Sequence, residues 1–228
     1  MEKKLISINT DFSIYSFKGG FDNNFSYVLT CMRTGTEIIV DAAIRLETIK
    51  PFIKSSPSAI LVTHTHKDHI EYINTYIENF PEIKIIGHPE SIDIFDKNRF
   101  ISVSDNSLIK IGNLQLKVIY TPGHYFDSIC YFVENVLFTG DTLFVGRTGR
   151  TVSQNSDVND LYDSIYNKIL RLPPDTYIYP GHDYGEAPSI TIEKNIKISK
   201  LLQAKNKKEF IKRMADYEKN RKIGSYMH

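Results

Sequence analysis

Residues 62–72 read VTHTHKDHIEY and place His64, His66, Asp68 and His69 within six positions. The 228-residue chain holds only seven histidines, so three in one hexad need a chemical reason. On an extended segment residues i and i+2 point the same way, so His64 and His66 project together from the end of the apolar run SAILVTH. Two neutral imidazoles on one side begin a site for zinc, iron or manganese. Asp68 and His69 follow where the chain turns toward a helix, and one bend lets them face the same cleft. Asp68 with Glu71 also matches a helix N-cap with an acidic third residue. A carboxylate has two oxygens, so capping and ligation are compatible.

Three further apolar runs end in a residue of ligand type: LKVIYTPGH at His124, NVLFTGD at Asp141 and TYIYPGH at His182. A rigid sheet aims side chains from its strand ends into one cleft. Four such runs predict a single shared site. Asp41 closes EIIVDAA and either orients a ligand histidine or caps the next turn. His88 closes IIGH and is expected at the surface or behind the ligands. Neither a GxSxG elbow nor a phosphate-cradling glycine loop offers a rival chemistry.

The elements that must position these residues are legible in outline. FSIYSFK, FSYVLTCM and EIIVDAA alternate as strands, and the last two flank a turn at RTGT. RLETIKPFIKSS predicts a helix with a boundary or kink at Pro51. Strand SAILVTH, helix IEYINTYIENF and strand IKIIGH follow. LIKIGNLQLKVIYT, SICYFVENVLFTGD and TYIYPGH are further strands, with the helix DVNDLYDSIYNKIL before the last. Strands that cluster and then alternate with helices predict sheets covered by helices.

Composition sets the outer bounds. The chain is 41% hydrophobic and 24% charged with a net charge of +1, so no global field points to nucleic acid. No apolar run approaches the roughly 20 residues a membrane span requires. The N-terminus lacks the pattern of a signal peptide, so a cytoplasmic protein acting on a small molecule is expected. Cys31 and Cys130 lie in separate apolar runs and read as buried thiols. The tail 205–222 carries eight basic and three acidic residues, with Phe210, Ile211, Met214 and Tyr217 at helical spacing. It is expected to dock as a surface helix by that stripe, and its excess charge permits a helper role toward an anionic substrate.

HTHKDH, TPGH at His124, FTGDTLF at Asp141 and YPGHDYG at His182 resemble, as an ordered set, the signature of the metallo-β-lactamase-fold superfamily. The resemblance covers roughly residues 10–200. It implies an αββα sandwich over about residues 1–200, with the metal cleft at one edge of two sheets and residues 201–228 as an appended helical tail. It also implies two divalent metal ions, zinc by first choice and iron or manganese otherwise. His64, His66 and His124 would hold one ion, Asp68, His69 and His182 the other, and Asp141 would bridge them. Cations about 3.5–4 Å apart stabilise an oxyanion and supply a hydroxide for attack on a carbonyl.

Within the superfamily, GDTLFVGRTGRT and the ending ITIEKN…EFIKRM are similar to glyoxalase II (hydroxyacylglutathione hydrolase) enzymes and to persulfide dioxygenases. The first implies hydrolysis of a small thioester or ester, with Asp68 helping to deliver a proton to the leaving group. The second implies a mononuclear iron site of His64, His124 and Asp141; a metal-stabilised binding protein is the non-catalytic alternative. Gly146-Arg147-Thr148-Gly149-Arg150 departs from the glyoxalase II pattern Gly-Cys-Gly-Arg, and Tyr125 stands where a small or β-branched residue is common. Only 46 residues follow His182, fewer than the C-terminal helical domain of a full hydroxyacylglutathione hydrolase contains. Arg147 and Arg150 are candidates to meet a substrate carboxylate or to form structural salt bridges. Tyr184 is a candidate for the pocket wall.

Overall fold

The computed structural model describes residues 3–8 and 11–224. Seven strands form the first sheet in sequence order: β1 (Lys3–Ile8), β2 (Phe12–Gly19), β3 (Asn24–Cys31), β4 (Glu37–Val40), β5 (Ala59–Leu61), β6 (Lys84–Gly87) and β7 (Phe100–Ser102). The second sheet contains β8 (Leu108–Ile111), β9 (Leu114–Tyr120), β10 (Ile129–Val133), β11 (Val136–Gly140), β12 (Tyr177–Pro180) and β13 (Ile190–Thr191), in reverse order across the sheet.

Period-two alternation assigns the layers. On β3, Phe25, Tyr27, Leu29 and Cys31 enter the core between the sheets, while Val28 faces outward. On β9 and β10, Leu116, Val118, Ile129 and Tyr131 meet them from the second sheet. The first sheet's outer face is covered by α1 (Leu46–Ile49) and α3 (Ile73–Asn79) through Leu46, Ile49, Ile73 and Tyr76. The second sheet's outer face is covered by α4 (Val158–Asp163), α5 (Ile192–Ile198) and α6 (Lys207–Gly224) through Leu161, Ile192, Phe210 and Met214. The result is an αββα sandwich.

Strands β4 to β7 run parallel, as do β11 and β12, so their carboxyl ends are grouped. At that edge the sheets are tied together. Ile129 N donates to Thr63 O at 2.8 Å, Phe25 N to Gly181 O at 2.7 Å, and Tyr131 Oη to Val62 O at 2.8 Å. These ties pinch the sandwich where the candidate ligands emerge.

Three helices differ from the sequence expectation. RLETIKPFIKSS yields only α1 and one 3-10 turn, with Pro51 opening the turn. IEYINTYIENF divides between α2 (Lys67–Ile70) and α3, and Tyr72 N bonds to Ala42 O across the break. DVNDLYDSIYNKIL begins as α4, capped by Asp157, and continues through a π turn at Ser164–Lys168. β1, β7 and β13 lie outside the strands expected from the sequence; β7 and β13 have only three and two residues, too few to show periodicity. No helix among the described residues is long and apolar enough to cross a membrane.

Candidate metal centre

His64 and His66 leave the end of β5, and their side chains meet as alternation requires: His64 Nε2 lies 2.9 Å from His66 Nδ1. His124 arrives from the loop after β9, with Nε2 3.1 Å from His66 Nδ1. Asp141 follows β11, with Oδ2 3.5 Å from His124 Nε2 and 3.3 Å from His182 Nε2. Its Oδ1 is 3.2 Å from His69 Nε2. His182 follows β12 and stands 3.3 Å from Asp68 Oδ2. Donor atoms of His64, His66, His124 and Asp141 lie within 4.8 Å of one another, as do those of Asp68, His69 and His182.

This donor set fits divalent metal ions. Ring nitrogens of several imidazoles face each other at hydrogen-bond distance, and Asp141 Oδ1 is buried without a hydrogen bond. Buried polar atoms left this way need a partner the protein does not supply. Space is reserved around it: a Cβ at Gly181 would collide with Asp141 Oδ1 and His69 Cε1. Electrostatics prepare the ligands unequally. Burial lowers His64, His66 (to about 4) and His124, and so keeps them neutral and ready to coordinate. For His182 burial also opposes charge, but Asp141 and Asp68 outweigh it and raise the pKa to about 9. His69 is raised likewise by Asp141 and Asp41. Burial disfavours the Asp68 carboxylate, yet His182, His69 and Asn24 hold it below the usual range.

Several supports fix these side chains. Asp41 occupies left-handed backbone space at φ 56°. Its carboxylate accepts from Thr63 N and Thr63 Oγ1 at 2.8 Å and contacts His69 Nδ1 at 2.8 Å. It therefore orients a candidate ligand. Asp68 lies inside α2 after its first residue and caps nothing, because the cap position belongs to His66 and has no side-chain bond. His124 Nδ1 is held by Arg150 O at 2.9 Å and His182 Nδ1 by Asp22 O at 2.9 Å. His88 sits apart from the ligands, stacked on Tyr120 at 4.2 Å.

Asn24 and Asp127 carry no signal in the sequence, and Tyr217 and Arg221 of the tail stand at the cleft. Asn24 is fully buried and donates through Nδ2 to Asp68 Oδ2 at 3.0 Å. Asp127 accepts from Thr65 Oγ1 at 2.5 Å, Ser91 Oγ at 2.8 Å and Thr65 N at 3.3 Å. It thus clamps the residue between His64 and His66. Tyr217 and Arg221, from α6, reach the cleft wall beside Arg147, Arg150 and Tyr184. Only pairing across the fold reveals the first two; the stripe and charge of the tail hinted at the others.

The candidate substrate residues have protein partners. Arg147 donates to Tyr184 O at 2.7 Å and to Tyr217 Oη at 3.3 Å, and its Cζ lies 5.4 Å from the Tyr184 ring centroid. Arg150 forks onto Glu218. Tyr184 stacks on His182 at 4.8 Å and donates to Asp22 Oδ2 at 2.5 Å. All three line the cleft, which encloses about 150 Å³.

Fold and site together define a metalloprotein with a histidine–carboxylate cleft at the pinched edge of an αββα sandwich. The family model "Metallo-beta-lactamase superfamily" matches residues 19–182, and the chain belongs to that superfamily. It is 32% identical over 197 residues to "Probable hydroxyacylglutathione hydrolase glo2" of Schizosaccharomyces pombe, covering 80% of this chain and 74% of that protein. It is 26% identical to "Probable polyketide biosynthesis zinc-dependent hydrolase PksB" of Bacillus subtilis, covering 90% and 94%. Among solved structures, ETHE1 from Myxococcus xanthus superposes with a TM-score of 0.79 at 26% identity, over 90% of each chain. Other hydroxyacylglutathione hydrolases are matched over about half of their length. The relatives support a hydrolase, and the donor set implies divalent metal ions.

Proposed function

We propose that this protein is a binuclear metallo-hydrolase that cleaves a small thioester or ester. Asp141 carries the reading: its two oxygens face different donor groups, Oδ1 toward His69 and Oδ2 toward His124 and His182. A carboxylate so placed suits a bridge that offsets the repulsion of two cations. His64, His66 and His124 would hold one ion and Asp68, His69 and His182 the other. Two divalent ions, zinc by preference, would supply Lewis acidity and activate water for attack.

The chain's own groups do the rest. Asn24 fixes Asp68 through Oδ2, and Asp68 would take the proton given up by the attacking water and return it to the leaving thiolate or alkoxide. Phe144 and Tyr184 line the cleft and restrict water around the reacting carbonyl. In this reading residues 1–200 are the catalytic domain, the tail from residue 201 completes its cleft, and the setting is cytoplasmic, in keeping with two free buried thiols.

The likeness to ETHE1 supports a second reading, in which His64, His124 and Asp141 hold one iron for persulfide oxidation. Anaerobic assays separate the two. Metal-loaded protein is expected to release free thiol from S-lactoylglutathione or a simple acyl thioester without oxygen. Oxygen uptake with glutathione persulfide and no anaerobic thiol release would reverse the choice.

A further inference from the structure

The wall of the cleft contains three guanidinium groups, Arg147, Arg150 and Arg221. A forked guanidinium beside a metal site is suited to a substrate carboxylate. Arg150 is already in use. Its Nε lies 3.1 and 3.2 Å from the two oxygens of Glu218 and its Nη2 3.0 Å from Oε2. Glu218 sits behind the wall with a side chain only 12% exposed, whereas Arg150 is 38% exposed and lines the cleft. The carboxylate comes from α6, which is anchored by buried Phe210 and Met214, and Thr148 Oγ1 donates to Met214 Sδ at 3.2 Å. Arg147 is committed to Tyr184 O and Tyr217 Oη. Arg221, exposed at the rim, is the one cleft guanidinium with no hydrogen-bonded partner among the described residues.

We propose that Glu218 is a specificity-determining residue: by taking Nε and Nη2 of Arg150 and offsetting its charge, it weakens the hold of that guanidinium on a substrate carboxylate. The cleft therefore favours thioesters that carry no carboxylate at this position. The proposal rests on the thioester-hydrolase reading for its substrate class. An internal carboxylate competes with an external one for the same cation. A partly exposed ion pair contributes little to stability, so replacing Glu218 is expected to leave the fold intact.

The test compares wild type, Glu218→Gln and Glu218→Ala in the metal-loaded full chain. Two thioesters serve as probes: S-lactoylglutathione, which carries carboxylates, and the neutral S-acetyl-N-acetylcysteamine. Both variants are expected to raise kcat/KM for the first by roughly tenfold, the scale of one charge-assisted hydrogen-bond pair, and to leave the second within about twofold. Binding of S-methylglutathione, a thioether that cannot be hydrolysed, should tighten by a similar factor in calorimetry. An equal fall for both thioesters would mean that Glu218 is only structural, and an unchanged ratio with unchanged thioether binding would overturn the proposal as well. Tighter thioether binding without hydrolysis of either thioester in any protein would uphold the competition and remove the thioester-hydrolase reading. Metal content per chain, measured on the same samples, is expected to be equal, because Arg150 meets His124 through its backbone oxygen.

Discussion

Asp127→Ala is the sharpest probe of how the metal centre is held together. Asp127 is 1% exposed and accepts from Thr65 Oγ1, Ser91 Oγ and Thr65 N. Truncation leaves two hydroxyls and one amide without their acceptor, at about 1–3 kcal/mol for each unsatisfied donor. The amide bond is long at 3.3 Å and counts at the low end, and removing a buried charge returns part of the cost. The expected net loss is about 3–5 kcal/mol, a large share of the roughly 5–15 kcal/mol that stabilises a domain. Asp127→Asn keeps one acceptor oxygen and should lose about half as much. Thr65 stands between His64 and His66, so loosening it should also weaken metal binding by about 10–100-fold, the usual scale for supports behind ligands. Urea unfolding with and without metal, together with competition against a chromogenic chelator, measures both effects. An Asp127→Ala loss below about 1 kcal/mol with unchanged metal affinity would refute the clamp.

Three other outcomes are expected. Asp68→Asn should lower metal content and cut turnover by roughly 10²–10³-fold, because amidation removes a charged ligand; two metals bound with full turnover would exclude the role given to Asp68. Gly181→Ala should abolish metal uptake while circular dichroism stays native, since its methyl would occupy the space between Asp141 and His69. In metal-stripped protein, His182 has a pKa of about 9, above its value in the unfolded chain. The stabilisation it contributes is therefore fully present below about pH 6.5 and is lost as pH rises through about 9. Thermal melts should show that loss in wild type and not in His182→Gln, and parallel profiles in the two proteins would contradict it.

The clustering of the candidate ligands was legible because ligation demands particular residue types, and apolar strands announce where they end. His64, His66, His124, Asp141 and His182 all follow such runs, so one sheet edge could be inferred from four separate motifs. Supports were not legible in the same way. Asn24 and Asp127 act on residues 44 and 62 positions away, and nothing local distinguishes a buried amide or carboxylate from a loop residue. Asp41 stood between capping and orientation until its contact with His69 was in place. The broken helices have a comparable cause. IEYINTYIENF is periodic enough for one helix, but Tyr72 N is taken by Ala42 O, and this tertiary bond overrides the local preference.

Arg150 joins two functions that sequence alone kept apart. Its backbone oxygen holds His124 Nδ1, and its side chain holds Glu218 on α6. The loop carrying it also places Arg147 against Tyr184 and Thr148 against Met214. A change in α6 therefore reaches the cleft wall through side chains, whereas the metal ligand is held through the backbone. Under the reading proposed above, that division would let the tail alter which substrates fit without moving His124. In this chain that route would run through Glu218 on α6, which pairs with Nε and Nη2 of the cleft-lining Arg150.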